Sequence, residues 1–308
     1  MSLIGLFQGT GPTGFGYNSA AEEVTDGVDL SGKTYLLTGC SSGLGEETLR
    51  VLSMRGAHLI AAARSVESAR EAIARAGADA TAVACDLSDP ASVRGAIVAI
   101  KSMGRPLDAI ICNAGIMALP TAKRIHGIEE QFFTNHIGHF ILVTGLLDSL
   151  ADDGRVVMVS SSAHKMAPAE GIGFDDLAAE KSYSPWGHYG QSKLANLLFA
   201  RELGRRLDGT GKTANALHPG VIRTNLGRHM NILARGGMAL GGPMFMKNIP
   251  QGAATSCYLA AHPAASGYNG EYFADCNPAK SSAYGRDMEL AARLWEKSEE
   301  IVAEVLPT

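Results

Sequence analysis

The stretch TGCSSGLG, Thr38 to Gly45, can serve two different chemistries. Gly39-Cys40-Ser41-Ser42-Gly43 fits G-x-S-x-G, in which a serine on a strained turn attacks an ester. The same residues place glycines at 39, 43 and 45, which let backbone N–H groups approach a phosphate. Further along, Tyr189 and Lys193 stand four residues apart and would share one face of a helix. An ammonium beside a phenol favours the phenolate and pulls its pKa down from about 10 toward neutral pH. Such a pair is suited to exchanging protons.

Those side chains need elements to hold them. TYLLTG (34–39), HLIAAA (58–63), ATAVAC (80–85), DAIICN (108–113), RVVMVS (155–160) and TANALH (213–218) read as buried strands. Helical patterns at 45–56 and 65–77 lie between them. Near-continuous apolar strands separated by amphipathic helices predict an α/β fold. It is a doubly wound, Rossmann-like parallel sheet with helices on both faces. We expect one domain over 31–308, preceded by a polar arm at 1–30.

TGCSSGLG then falls between the first strand and the first helix, where such a fold binds pyrophosphate at a helix N-terminus. A hydrolase elbow occupies the same kind of place, but it does not require Gly45, and no HGGG-type oxyanion loop precedes Ser41. Ser41 is therefore read as part of a phosphate floor and not as a nucleophile. A second glycine motif, Gly9 to Gly14 (GTGPTG), lacks both the strand before it and the helix after it.

Composition narrows the classes. Hydrophobic residues make up 46% of the 308, enough for a large core and against wholesale disorder. A net charge of −4 gives no electrostatic reason to expect nucleic acid as a partner. Cys40, Cys85, Cys112, Cys257 and Cys276 form no C-x-x-C pair, and their odd number suits a reducing, cytoplasmic setting. LIGLF (3–7) is too short for a signal or a membrane span, and no span is expected elsewhere. His136 and His139 are three apart without further ligands at metal-site spacing, so no metal is expected.

TGCSSGLG, NAG (113–115), TNHIGHF with Asn135, VSSSAH (159–164), Tyr189-x-x-x-Lys193 and HPGVIRTN (218–225) occur in one order. From about Lys33 onward the chain resembles the short-chain dehydrogenase/reductase family. NHIGHF, YGQSKLANLLFARELGRRL and GEYFADC (270–276) most resemble retinol dehydrogenases and WW-domain-containing oxidoreductases. The arm GFGYNSAAEEVTDGVDLSG is similar to plant relatives described as chloroplast-import components.

The resemblance implies an alcohol dehydrogenase/carbonyl reductase with Tyr189 as acid/base. Lys193 would lower the phenol pKa and hold the nicotinamide ribose. Ser161, chosen among Ser160, Ser161 and Ser162 by the family pattern, would donate to the carbonyl oxygen. Asn135 would support a water linking Lys193 to solvent. The cofactor would lie on Gly39, Ser41, Ser42, Gly43, Leu44 and Gly45. Asp86, with Leu87 beside it, would meet the adenine. Asn113, Ala114 and Gly115 would meet the adenosine ribose, and Pro219, Gly220 and Thr224 the nicotinamide side. After the second strand, Ala63 stands where NAD enzymes carry an acid and Arg64 follows, so NADP(H) is expected over NAD(H).

A small-molecule substrate, bulky and mostly apolar, is expected under residues 226–250, which hold Met230, Met238, Met244 and Met246. The anchor that many retinol dehydrogenases carry is not evident. Helices at 126–150 and 183–208 resemble those that pair in homodimers and homotetramers. The competing reading is an NADP-binding redox-sensing or interaction protein with little turnover.

Overall fold

The computed structural model describes residues 9–222 and 246–306. Eight strands form one sheet: β1 (Thr34–Thr38), β2 (His58–Ala63), β3 (Ala80–Ala84), β4 (Leu107–Cys112), β5 (Leu150–Val159), β6 (Thr213–His218), β7 (Tyr272–Ala274) and β8 (Asn277–Pro278). Their order is β3-β2-β1-β4-β5-β6-β7-β8, and every pair is parallel except β7–β8. All residues of β1 are buried, as expected for a strand covered on both faces. Chain direction across the sheet reverses between β1 and β4. The ends of these strands, at Gly39 and Asn113, therefore border the crevice where doubly wound folds take ligands.

The longer helices are α1 (Gly43–Met54), α2 (Val66–Ala76), α3 (Pro90–Ser102), α4 (Gly138–Leu146), α5 (Pro185–Arg206), α6 (Ile249–Ala261) and α7 (Met288–Val305). Local chemistry sets many of their ends. Ser65, Asp89, Ser184, Asn248 and Asp287 each accept a first-turn backbone N–H, and Gly77 closes α2 in the left-handed region at φ 60°. One core lies between the sheet and α3, α4, α5 and α7; a second lies between the sheet and α1, α2 and α6.

The arm is bound to the second core. Ala21, Val24 and Leu30 are buried there, and Phe15 meets the Tyr258 and His262 rings edge-on at 5.8 and 5.5 Å. Asn277, at the sheet edge, accepts from Thr13 N (3.1 Å) and Thr13 Oγ1 (2.9 Å) and donates to Phe15 O (2.9 Å). GTGPTG is part of a tight turn closed by Gly11 N to Phe15 O at 2.7 Å, with no strand-to-helix passage for a phosphate.

The long helical stretch at 130–146 contains a π-helical turn, Phe133–Ile137, ahead of α4. No residue of 130–146 is exposed, and in α5 only Arg205 and Arg206 are. The chain's own α7 lies over them: Trp295 stacks on Phe199 at 5.6 Å and meets Phe140 edge-on at 5.0 Å, and Ser298 Oγ reaches His136 Nε2 at 2.8 Å. The faces of these helices that meet α7 are thus covered within one chain.

Candidate active site

At the end of β1 the backbone is shaped by glycine. Gly39 sits at φ 68° and Gly43 at φ 59°, both in the left-handed region, and a Cβ on Gly39 would stand 2.8 Å from Ala114 Cα. A Cβ on Gly45 would collide with Gly39 O and stand 2.7 Å from Asn113 Nδ2. Asn113 donates to Thr38 O (3.0 Å) and Gly39 O (3.2 Å), clamping the 113–115 turn to the glycine turn. Ser42 precedes α1 in extended conformation without capping it, which leaves the first-turn N–H groups for a ligand. These features make a cradle that fits a dinucleotide pyrophosphate.

The other residues expected to meet the cofactor lie as follows. Arg64 is exposed directly after β2. One Asp86 oxygen accepts from Ser88 N (3.0 Å) and Ser88 Oγ (2.6 Å), and Leu87 is buried, its carbonyl packed under Gly138. Leu44 packs under Gly252 of α6. Pro219 and Gly220 follow β6, Gly220 at φ 99° where a Cβ would stand 2.7 Å from Lys247 Cδ. Thr224 lies outside the described residues, as do residues 226–245 of the segment expected to cover the substrate.

Four side chains converge at the end of β5. The Tyr189 phenol faces the Ser161 side chain, which favours its ionised form, while Lys193 Nζ donates to Val159 O at 2.9 Å and lies 5.8 Å from the Tyr189 ring centroid. Asn135, in the π turn, accepts from Ile116 N (2.8 Å) and donates to Ile116 O (2.9 Å) and Ser192 Oγ (2.9 Å). A Cβ on Gly115 would meet Asn135 Oδ1 at 3.1 Å and Lys193 Nζ at 3.3 Å, so its absence keeps that gap open. The three serines separate by role: Ser160 Oγ donates to Lys193 O at 2.7 Å, Ser161 faces Tyr189, and exposed Ser162 turns its N–H to His218 Nδ1.

The acid–base balance differs from the sequence expectation. Burial pushes the Tyr189 phenol up to about 12, with the Ser161 hydrogen bond pulling the other way. Burial also brings Lys193 down to about 8. The ammonium is turned to the Val159 carbonyl, so enclosure of the phenol outweighs the lysine's pull. Tyr189 is therefore a protonated acid at neutral pH.

Several supporting residues escaped the sequence reading. Thr38 Oγ1 accepts from Asn113 N (3.0 Å) and Ala114 N (3.1 Å), and Ser192 joins Asn135 to the Tyr189 carbonyl (2.8 Å). Arg75 reaches Ser41 O at 2.9 Å and pairs with Glu46 at 3.1 Å, buttressing the glycine turn from behind. Lys247 is buried against Asp275 at 2.5 Å. Only Thr38 had a local signal, standing directly before the first glycine of the motif.

A family model described as short chain dehydrogenase matches residues 33–174. The chain is 43% identical to "Short-chain dehydrogenase TIC 32 B, chloroplastic" of Brassica napus, over 98% of this chain and 99% of that one. It is 41% identical to "Retinol dehydrogenase 14" of Mus musculus, over 89% of this chain and 86% of that one. A crystal structure of a putative uncharacterized protein from Mycobacterium Paratuberculosis superimposes with a TM-score of 0.74 at 35% identity, covering 91% of this chain and 96% of that one. The chain belongs to the short-chain dehydrogenase/reductase family, in its retinol dehydrogenase-like branch. It is an oxidoreductase by family, and among the described residues no helix is long and apolar enough to cross a membrane.

Proposed function

We propose that the protein is an NADP(H)-dependent alcohol dehydrogenase/carbonyl reductase acting on a secondary alcohol/ketone pair or an aldehyde of a bulky, mostly apolar substrate. The observation that carries this is the meeting of Ser161, Tyr189, Lys193 and Asn135 beside the glycine cradle. When bound, the nicotinamide supplies the hydride. The protein's part is to hold the substrate oxygen and move a proton. The Tyr189 O–H gives its proton to the carbonyl oxygen as negative charge develops there, and the Ser161 hydroxyl donates to the same oxygen. Lys193 stands one turn along α5, placed to return a proton toward the phenol and to hold the ribose. Its Val159 bond aims the ammonium, and Asn135 closes the chain of polar groups behind it.

Arg64 supports NADP(H): it is exposed at the end of β2, follows Ala63, and has no carboxylate within ion-pair distance among the described residues. Thr224, with Pro219 and Gly220, is proposed for the nicotinamide side. The apolar substrate class rests on Trp186, half-buried and edge-on to the Tyr189 ring at 6.1 Å, and on exposed Met166 in the turn after Ser161. The retinol dehydrogenases named among the relatives agree with that class.

Thiol-based redox sensing has less support. All five cysteines are free and buried, and burial raises every thiol pKa, that of Cys40 to about 11. Unpaired thiols suit the proposed cytoplasmic setting. α7 covers part of helices 130–146 and 185–206, so a homodimer or homotetramer would use faces that α7 leaves free. NADPH oxidation against a panel of aromatic, steroidal and long-chain ketones and aldehydes tests the activity; NADPH binding without turnover on any of them would favour the binding-protein reading.

A further inference from the structure

His139 has no part in the chemistry above, yet it is fully buried between Asn135 and Thr38. It stands one turn after Asn135, just past the π-helical turn. There the Gly138 N–H reaches back to Phe133 O, five residues away, in place of the usual four. His139 Nδ1 lies 2.9 Å from Asn135 O, and its Nε2 lies 2.9 Å from Thr38 Oγ1.

A carbonyl can only accept, so Nδ1 must carry the hydrogen. Burial, joined by the nearby Lys193 ammonium, brings the imidazole pKa down to about 4, and the ring is neutral. In a neutral imidazole the other nitrogen is an acceptor, so Thr38 donates to Nε2. A longer 3.5 Å contact from Thr38 Oγ1 to Ile111 O competes for the same proton and loses on distance. With its proton on His139, the Thr38 oxygen has both lone pairs for Asn113 N and Ala114 N. Every donor and acceptor on the path is then used.

We infer that His139 is a positioning residue, locked as the Nδ1–H tautomer, that couples Asn135 to the cofactor-binding turn at 113–115 through Thr38. On its other side Asn135 is tied by its amide to Ser192, whose hydroxyl donates to the Tyr189 carbonyl. One continuous path therefore joins the catalytic helix to the cofactor turn. Histidine suits the place because a rigid ring offers a donor and an acceptor on opposite edges.

The inference rests on reading 39–45 and 113–115 as the cofactor cradle, and two experiments keep the two claims apart. Imidazole 15N–1H NMR of the full chain reports the tautomer without any cofactor. Nδ1 protonated and Nε2 bare, unchanged between about pH 6 and 8, is expected; an Nε2–H tautomer overturns the inference even if NADPH binds well. NADPH titration of the parent tests the cradle by itself.

Variants then split the two ends. His139→Asn retains a donor near Asn135 but loses the acceptor for Thr38, and should raise the NADPH Kd roughly tenfold while lowering turnover less. His139→Gln retains an acceptor toward Thr38 and should do the reverse. Thr38→Val also leaves Asn113 N and Ala114 N without their acceptor and should weaken binding more; adding His139→Asn to it should weaken binding little further, because His139 acts on the turn through Thr38. Independent, multiplying effects of Thr38→Val and His139→Asn would contradict the coupling.

Discussion

The two sides of the crevice are built from different materials. The proposed cofactor side, from Gly39 to Gly45 and Asn113 to Gly115, is mostly backbone held close by glycine and by the Asn113 side chain. The proposed proton-transfer side, at Ser161, Tyr189 and Lys193, is made of side chains whose behaviour depends on how deeply α5 is buried. Backbone shape is written locally, in which residues lack a Cβ. A pKa is written by everything that packs around the group, so it is invisible until the fold is known.

That contrast can be broken first on the proton-transfer side. Tyr189→Phe removes the only titrating atom, so turnover should fall by about 10²–10⁴-fold while NADPH affinity barely changes. Near-normal turnover in Tyr189→Phe would remove the phenol from the mechanism. On the cofactor side, Gly45→Ala forces a Cβ against Gly39 O. Overpacking of this kind costs about 1–3 kcal/mol, so NADPH titration should show a loss of roughly tenfold or more, and full affinity would contradict the close packing.

Arg64→Ala should weaken NADPH but not NADH binding, by about tenfold, since charge-assisted hydrogen bonds are worth about 1.5–3 kcal/mol. Equal affinity of the parent for both cofactors would already sink that assignment. A pH profile sharpens the comparison further. Lys193 is charged below its pKa of about 8, whereas Tyr189 remains protonated until about 12. Reductive kcat/KM should therefore fall as pH rises through the lysine value. Lys193→Arg, charged throughout, should lose that limb; a parent profile flat across it would mean that the ammonium is not needed.

The smallest effect belongs to the arm. Asn277→Ala removes the side chain that holds Thr13 and Phe15 and should cost about 1 kcal/mol of stability, read as a lower denaturation midpoint with turnover per folded molecule unchanged.

Much of this was legible beforehand where the signal is local. Apolar runs placed β1, β2, β3, β4 and β6 within a residue or so, and the glycine spacing placed a turn at the end of β1. β5 begins at Leu150, five residues before the apolar run, and its pairing with β4 shifts register between Leu107 and Ala109. β7 and β8 are too short to carry a periodicity. The arm looked like a polar lead-in because several of its anchoring contacts are with residues more than two hundred positions away, such as Asn277. The expected lowering of the Tyr189 pKa considered a lysine on the same face and could not include the burial that outweighs it.

The most direct test is stopped-flow mixing of the parent protein and NADPH with each carbonyl of the panel, following nicotinamide absorbance. Stoichiometric NADPH oxidation with at least one bulky apolar ketone or aldehyde, matched by alcohol formed, is the expected result. NADPH bound with ordinary affinity but never oxidised, with Ser161, Tyr189 and Lys193 all intact, would contradict the assignment of this site to carbonyl reduction.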